Sequence, residues 1–332
     1  MMPTVELHLH LEGTFEPELI FAVAERNGIT LPYGDVEELR RRYDFTGLQN
    51  FLDLYYANMA VLRHEQDFAD LTRAYLGRAR RAGVRHAEVF FDIQAHTSRG
   101  VPAEVALGGV SEALAASERE FGISTGLIVT FLRHLPAEDA LASLEEILRL
   151  DVPLLGVGLC SSEVGPAAPF KPVYDLARAH GLRRVAHAGE EGPAANVREV
   201  LDVLGVERVD HGIRALEDDA LVDRLVAERV PLTLCPLSNV RLRVLDNLAE
   251  YPLRRMLERG LVVTVNSDDP AYFGGYVDEN LRQLTEVLGL SLDELTTLAR
   301  NGVEAAFVDE ARRAELAAEV AAWRGEQLAR HG

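Results

Sequence analysis

Short runs of β-branched and apolar residues alternate along the chain with longer stretches in which apolar residues recur at helical spacing. This alternation is typical of βαβ units, in which crossover helices join parallel strands. Eight segments have the length and composition of strands: Thr4–His10, Arg85–Phe91, Ser124–Phe131, Leu154–Cys160, Arg184–His187, Arg208–Gly212, Leu232–Pro236 and Val262–Asp268. The pattern therefore predicts an α/β fold built on parallel strands.

The segments between these strands have the apolar stripe of amphipathic helices. The clearest are Phe68–Ala82, Val101–Phe121, Ala137–Leu150, Val173–His180, Asp218–Arg229 and Leu248–Arg259. Glycine stands near the end of four of them, at Gly83, Gly122, Gly181 and Gly260, where helices often stop before the next strand. Eight strand–helix units predict a closed (β/α)8 barrel of the TIM type. The alternative, an open doubly wound sheet, lacks a G-x-G-x-x-G sequence after the first strand.

Two segments lie outside the repeating pattern. Gly28–Leu62 is a predicted insertion after the first strand, with helical stretches around Val36–Arg42 and Leu48–Ala60 and many aromatic residues. We expect these aromatics to form the core of the insertion, although they could instead fill space beside a ligand. The chain after Asp268 is mostly helical and is predicted to be a solvated outer layer with no role in chemistry. With no linker in the chain, residues 1–332 are expected to form a single domain.

Composition and charge restrict the classes of partner. The chain has 332 residues, of which 48% are hydrophobic, enough for a large core. Its net charge of −19 repels phosphate backbones, which disfavours a nucleic-acid partner and favours a small molecule. The two cysteines lack disulfide or metal spacing, and neither a signal peptide nor a membrane-spanning stretch is evident. A cytoplasmic protein is expected, and a homo-oligomer stays possible.

Polar residues stand at the C-terminal ends of four predicted strands, where a barrel places its active site. The first strand ends in His8-Leu9-His10, and alternate residues of a strand point to the same face, so both imidazoles can reach one ion. The other three strands end in His187-Ala-Gly-Glu190, Asp210-His-Gly212 and Asn266-Ser-Asp-Asp-Pro270. Each of these alone is more typical of a structural residue, but a barrel brings them together. Three imidazoles and a carboxylate are suitable ligands for Zn²⁺ and leave room for water.

Over nearly its whole length the chain resembles the adenosine/adenine deaminase family of the amidohydrolase superfamily. The matching pieces are Glu6-Leu-His-Leu-His-Leu-Glu-Gly13, His187-Ala-Gly-Glu190, Asp210-His-Gly212, Cys235-Pro-Leu-Ser-Asn239 and Ser267-Asp-Asp-Pro270. The resemblance implies one Zn²⁺ per chain. The implied metal ligands are His8, His10, His187 and Asp268.

The resemblance also implies roles for three further residues. Glu190 matches the proton donor, His211 the residue that orients the attacking water, and Asp269 the group that binds purine N7. The chemistry calls for such a set, because water attacks an aromatic carbon only when a metal makes it acidic and a proton at N1 makes the ring electrophilic. Glu190 must be protonated to donate that proton, whereas Asp269 could act in either protonation state. The signature of the unrelated cytidine deaminases is absent.

Three stretches resemble the branch of the family that acts on free adenine. They are Phe90–Thr97, Gly158–Gly165 and Asn266–Tyr276. The implied reaction is hydrolysis of adenine to hypoxanthine and ammonia. The chain has Cys160 where that branch usually has Asp, which leaves the exact purine open.

Two residues after the fourth strand are candidates for binding the N9–H of a free base. Ser162 and Glu163 could fill this role, or could instead be a helix N-cap and a first-turn acid. Two other functions stay open as well: a deaminase of adenosine, an N6-substituted adenine or 6-aminodeoxyfutalosine, and a non-catalytic purine-binding protein. A substrate panel separates the deaminases. Loss of a metal ligand or of the acid would mark the binding protein, and all seven residues are present.

Overall fold

Eight parallel strands follow one another in chain order around one sheet of the computed structural model, which describes residues 1–331. Paired backbone hydrogen bonds close the ring between the segments that extend the first and last strands: Asp268 N donates to His8 O and His10 N donates to Asp268 O, each at 3.0 Å. The predicted (β/α)8 barrel is therefore confirmed. The strands are β1 Thr4–Glu6, β2 Val84–Phe91, β3 Ser124–Leu132, β4 Gly156–Cys160, β5 Arg183–Ala188, β6 Arg208–His211, β7 Leu232–Leu234 and β8 Val263–Val265.

Helices surround the barrel and cover both of its ends. They include those that the amphipathic pattern predicts, and Gly83 and Gly122 have the left-handed backbone expected of residues that end a helix. The helices are α1 Pro17–Arg26, α2 Val36–Arg41, α3 Leu48–Met59, α4 Glu65–Ala82, α5 Ile93–Thr97, α6 Ala103–Ala115, α7 Ser117–Phe121, α8 Ala137–Ile147, α9 Lys171–Ala179, α10 Ala194–Glu199, α11 Asp219–Glu228, α12 Pro236–Arg241, α13 Leu253–Glu258, α14 Pro270–Phe273, α15 Val277–Leu288, α16 Leu292–Ala305 and α17 Glu310–His331.

The first strand is shorter than predicted. Its regular pairing ends at Glu6, and the chain continues extended through Leu9 and His10, which form single bridges to Asp268 and Phe90. In this stretch the backbone contacts both neighbours of β1 at once, because it lies where the barrel closes. The two histidines therefore lie just beyond the strand.

The insertion after β1 covers the C-terminal end of the barrel. It contains α2 and α3 as predicted, and α1 precedes it, a helix that the periodicity did not predict. Proline at the first helical position and an arginine in the last turn were the available signals for α1. Phe51 of α3 packs against Tyr272 and Phe273 of α14, with ring centroids 5.5 and 4.6 Å apart. These contacts hold α3 over the opening of the barrel.

The expectation of a solvated C-terminal layer is wrong in part. One face of α17 is buried through Leu316, Val320 and Trp323, and α16 packs against β1 and β8. Between these helices Phe307 lies under the barrel, with the Arg208 guanidinium 4.5 Å from its ring centroid. The segment closes the barrel at the end where the strands begin, because that end would otherwise expose apolar side chains. Within residues 1–331 no helix is long and apolar enough to cross a membrane.

Candidate active site

The four side chains predicted to be metal ligands lie close together at the C-terminal end of the barrel. One ligand atom from each of His8, His10, His187 and Asp268 lies within 4.8 Å of all the others. Asp268 Oδ1 is 3.2 Å from His8 Nε2 and 3.7 Å from His10 Nε2, and the Nε2 atoms of His10 and His187 are 3.2 Å apart. All four residues are buried. The barrel thus brings together groups separated by as much as 260 positions in sequence.

A second layer of groups orients the three imidazoles. The Nδ1 atoms face Thr233 Oγ1 at 2.9 Å from His8, Asp92 Oδ1 at 3.2 Å from His10, and Asp210 Oδ2 at 3.5 Å from His187. The contacts of His8 and His10 are hydrogen bonds and that of His187 is a close approach to a carboxylate, and each leaves Nε2 directed toward the common centre. Metal-binding histidines usually have such a partner on the other ring nitrogen.

The donor set fits a divalent metal ion. His8 Nε2 is buried and finds no hydrogen-bond partner among residues 1–331, which a bound cation would supply. Burial favours protonation of Asp268, but the imidazoles of His8, His211 and His10 together outweigh it and lower the pKa of this carboxyl well below its ordinary value. Three neutral imidazole nitrogens and one carboxylate are ligands that Zn²⁺ takes.

Glu190 and His211 lie beside the four ligands. Glu190 Oε2 is 3.4 Å from His211 Nε2, which is itself 3.8 Å from Asp268 Oδ2. Burial and the nearby Asp268 raise the pKa of the Glu190 carboxyl well above its usual range. Burial and the nearby His8 lower the pKa of His211 well below its ordinary value. These shifts favour a protonated Glu190 facing a neutral His211 across the site.

Asp269 faces the same pocket from the start of α14. Its Oδ1 has no hydrogen-bond partner in the described part of the chain, and burial together with Asp268 raises the pKa of its carboxyl well above the ordinary value. The loop after β1 approaches Asp269 so closely that a Cβ at Gly13 would lie 2.1 Å from Asp269 Oδ1. A glycine is therefore required at this position. Asp269 is an unpaired acid available to a ligand.

Most of these groups line one small pocket. One wall carries the polar residues of the strand ends, and the opposite wall belongs to the insertion. Helix α3 supplies Leu48, Phe51, Leu52, Tyr55 and Tyr56 to the lining. The two alternatives for the insertion's aromatics both hold in part, because α3 is packed core and pocket wall at once.

The structure does not bring Ser162 and Glu163 to this pocket. In the described chain the lining at the end of β4 comes from Cys160, its last residue, and from Ser161. Glu163 turns the other way and accepts hydrogen bonds from the segment after β5. The helix N-cap alternative also fails, since the first helical residue after β4 is Ala168, in a 3₁₀ turn. The direction of the chain after Cys160, where Ser161 has a left-handed backbone, explains both results.

Asp92 also lies in the candidate site, although its sequence context did not single it out. Its Oδ1 contacts His10 Nδ1, accepts a hydrogen bond from Thr130 Oγ1 at 2.5 Å and lies 3.4 Å from Cys160 Sγ. Its Oδ2 accepts a hydrogen bond from Tyr55 of α3 at 3.1 Å. The carboxylate thus links a proposed metal ligand to the pocket wall. Its place at the end of β2 was the available signal.

Asn239 is a second residue whose role the sequence left open. It belongs to the Cys235–Asn239 match, and its Nδ2 lies 3.5 Å from Glu190 Oε1. Tyr251 in turn donates a hydrogen bond to Asn239 Oδ1 at 3.0 Å. Both are buried, so the pair limits the positions open to the Glu190 carboxyl.

Comparisons with known proteins agree with this geometry. A model of the family described as adenosine deaminase matches residues 3–323. An adenine deaminase of Streptomyces coelicolor is 58% identical over 326 residues, covering 97% of this chain and 96% of that protein.

Two solved structures share the fold. An adenine deaminase from Arthrobacter aurescens has a TM-score of 0.96 at 60% identity and covers 97% of this chain and 99% of its own. An amidohydrolase from Burkholderia ambifaria with bound Zn has a TM-score of 0.89 at 29% identity and covers 98% of this chain and 91% of its own. The resemblance seen in the sequence is confirmed: the chain belongs to the adenosine deaminase family and is a metal-dependent hydrolytic deaminase.

Proposed function

We propose that this protein converts adenine and water to hypoxanthine and ammonia with one Zn²⁺ per chain. The observation that carries the proposal is the meeting of His8, His10, His187 and Asp268 at the base of a pocket that Glu190, His211 and Asp269 also line. The choice of adenine is supported by relatives named adenine deaminase at 53–60% identity over most of the chain.

Zinc is supported by the chemistry of the donor set and by a similar amidohydrolase whose structure has bound Zn. When bound, the ion would act as a Lewis acid that makes water acidic enough to attack a ring carbon at neutral pH. Thr233, Asp92 and Asp210 would keep the three imidazoles directed toward it.

The residues of the chain would divide the remaining work. Glu190, buried and protonated, gives its proton to N1 of the purine while the oxygen of water bonds to C6. One proton of the water then passes to the exocyclic nitrogen, whose bond to C6 breaks to release ammonia, and the other proton restores the Glu190 acid. His211, neutral and 3.4 Å from the Glu190 carboxyl, accepts a hydrogen bond from the water and orients it. Asp269 binds N7 through its unpaired oxygen.

The cap helix α3 would favour a free base. Phe51, Tyr55 and Tyr56 close the pocket on the side opposite the strand ends, where a ribose on N9 would need space. An apolar, closed wall also excludes bulk water, which strengthens the electrostatic interactions inside the pocket.

Removal and return of the metal tests the proposal. We expect hypoxanthine formation from adenine to disappear after chelation and to return in proportion to added Zn²⁺, with full activity at one ion per chain. The metal content of each sample is measured alongside the rate. Full turnover of adenine by the metal-free protein would contradict the proposal.

A further inference from the structure

Glu163 holds the backbone of the segment after β5 by its amides. Its Oε1 accepts hydrogen bonds from the N–H groups of Glu190 at 2.7 Å, Glu191 at 3.1 Å and Gly192 at 3.2 Å. Its Oε2 accepts the N–H of Gly189 at 3.0 Å and the side-chain amide of Asn196 at 2.7 Å. Four consecutive backbone N–H groups thus converge on one carboxylate, in the manner of an anion-binding nest.

Arg133 holds the start of the same segment. Its Nη2 donates to the carbonyl oxygen of His187 at 2.7 Å, and its Nη1 lies 4.0 Å from Glu163 Oε2. Both side chains are almost fully buried, at 1% exposed for Arg133 and 3% for Glu163. Burial raises the pKa of Glu163, but the hydrogen bonds from Asn196 and the backbone amides outweigh it and lower the pKa below its ordinary value. Arg133 therefore holds this segment at the carbonyl group of His187, and the Glu163 carboxylate holds it at the N–H groups of residues 189–192.

Gly192 shows how closely the carboxylate approaches the backbone. A Cβ at this position would lie 2.4 Å from Glu163 Oε2 and 2.1 Å from Asn196 Nδ2. No side chain larger than hydrogen fits without displacing the carboxylate. The backbone at Gly192 therefore packs directly against the Glu163 carboxylate.

Residues 187–192 include two side chains of the candidate active site. The segment begins at His187, a proposed metal ligand, and includes Glu190, the proposed proton donor, whose own N–H makes the shortest backbone contact to Glu163. We propose that Glu163 is a positioning residue that sets the Glu190 carboxyl relative to the metal site. The proposal rests on the role of Glu190 in the proposed function.

Substitution Glu163→Gln tests this role. The amide can offer only one oxygen, so at least two of the five N–H groups lose their acceptor, and its own N–H₂ faces donors. We expect kcat for adenine to fall by about 100-fold, as a small misplacement of a catalytic group can cost. KM and metal content should stay close to wild type, because the substitution leaves the ligand side chains and the pocket lining intact.

Glu199→Gln is the matched control. Glu199 also accepts two backbone N–H groups, from Ala167 and Ala168, each at 3.0 Å, and so holds the other end of the same β4–α9 connection. It makes no contact with residues 187–192 among its hydrogen bonds in residues 1–331. Its kcat should stay within about twofold of wild type. Gly192→Ala should reproduce the loss in kcat, because the added Cβ would displace the Glu163 carboxylate.

The double variant Glu163→Gln/Glu190→Gln gives the sharpest result. If Glu163 acts through Glu190, adding Glu163→Gln to Glu190→Gln costs little further activity, so the effects are strongly non-additive. Fully multiplicative losses would overturn the proposal, as would a Glu163→Gln enzyme with wild-type kcat. So would a loss of kcat that only follows a loss of bound metal. If Glu190→Gln alone left kcat unchanged, the proposed function would fail at the proton donor instead.

Discussion

At the scale of single residues, burial and a few neighbouring charged groups shift the pKa values of the carboxyl groups in this site. Glu190 and Asp269 have raised pKa values because they are buried near Asp268, whereas the neighbouring imidazoles of His8, His211 and His10 together lower the pKa of Asp268. The pKa values of neighbouring carboxyl groups are thus shifted in opposite directions within one site. An acid and a metal-binding carboxylate are what a hydrolytic deamination requires.

The acid and the ligands are separable by substitution. Glu190→Gln should retain metal and bind purine but lose about 10²- to 10⁴-fold in kcat, because the amide has no proton to transfer to N1. His10→Ala should bind metal more weakly than the wild type, since three ligands hold the ion less well than four. Metal content and steady-state kinetics are measured for Glu190→Gln and for His10→Ala. Full metal occupancy and activity in His10→Ala would remove His10 from the ligand set.

At the scale of elements, α3 links the stability of the insertion to the shape of the pocket. Phe51 is buried against Tyr55, Tyr272 and Phe273, and it also lines the pocket. Helical periodicity predicted α3 itself, because its apolar positions recur at the right spacing. The periodicity did not reveal where α3 packs, since that depends on α14, more than 200 positions away.

Phe51→Ala should therefore affect both stability and substrate binding. We expect a loss of about 3–5 kcal/mol in the free energy of unfolding, as for other buried Phe→Ala changes, together with a raised KM for adenine. Phe170→Ala is the control, because Phe170 is equally buried but lies outside the pocket lining in the described chain. It should lose similar stability at an unchanged KM. An unchanged KM for Phe51→Ala would separate α3 from substrate binding.

At the scale of the whole molecule, the candidate active site lies at one end of the barrel, and a buried ion pair with the C-terminal helices closes the other end. Opposite the pocket, Arg208 donates to Glu88 Oε2 at 2.6 Å in a fully buried ion pair, and Arg208 Nη2 also donates to the carbonyl oxygen of Leu7, next to His8. The helices after β8 seal this end. Their polar average composition predicted that they are solvated, although one face of α17 is apolar.

Breaking the buried pair should destabilise the barrel strongly. Glu88→Gln leaves the Arg208 charge uncompensated, which typically costs about 3–5 kcal/mol. Glu286→Gln, which removes an exposed partner of Arg282, should cost less than about 1 kcal/mol. Denaturant unfolding of the metal-loaded variants measures both. Equal and small losses would mean that the buried pair contributes little.

The sequence revealed the barrel and the residues around the metal site for a physical reason. Parallel strands impose a regular pattern, and their C-terminal ends must converge, so polar residues such as His187, His211 and Asp268 could be placed together in advance. Asp92 and Glu163 were missed or misassigned because their roles depend on which way a loop turns after its strand. Ser161, with its left-handed backbone, turns Glu163 away from the pocket, and no periodicity encodes that turn.

The ratio of activities on adenine and adenosine tests the central claim most directly. With the zinc-loaded protein, we expect kcat/KM for adenine to exceed that for adenosine by at least ~100-fold, about 2.7 kcal/mol of transition-state discrimination. The reason is the proposal that the α3 wall of the pocket leaves no space for a ribose on N9. Hypoxanthine and inosine formation are measured under identical conditions. Equal values of kcat/KM for the two substrates, or a preference for adenosine, would contradict the account.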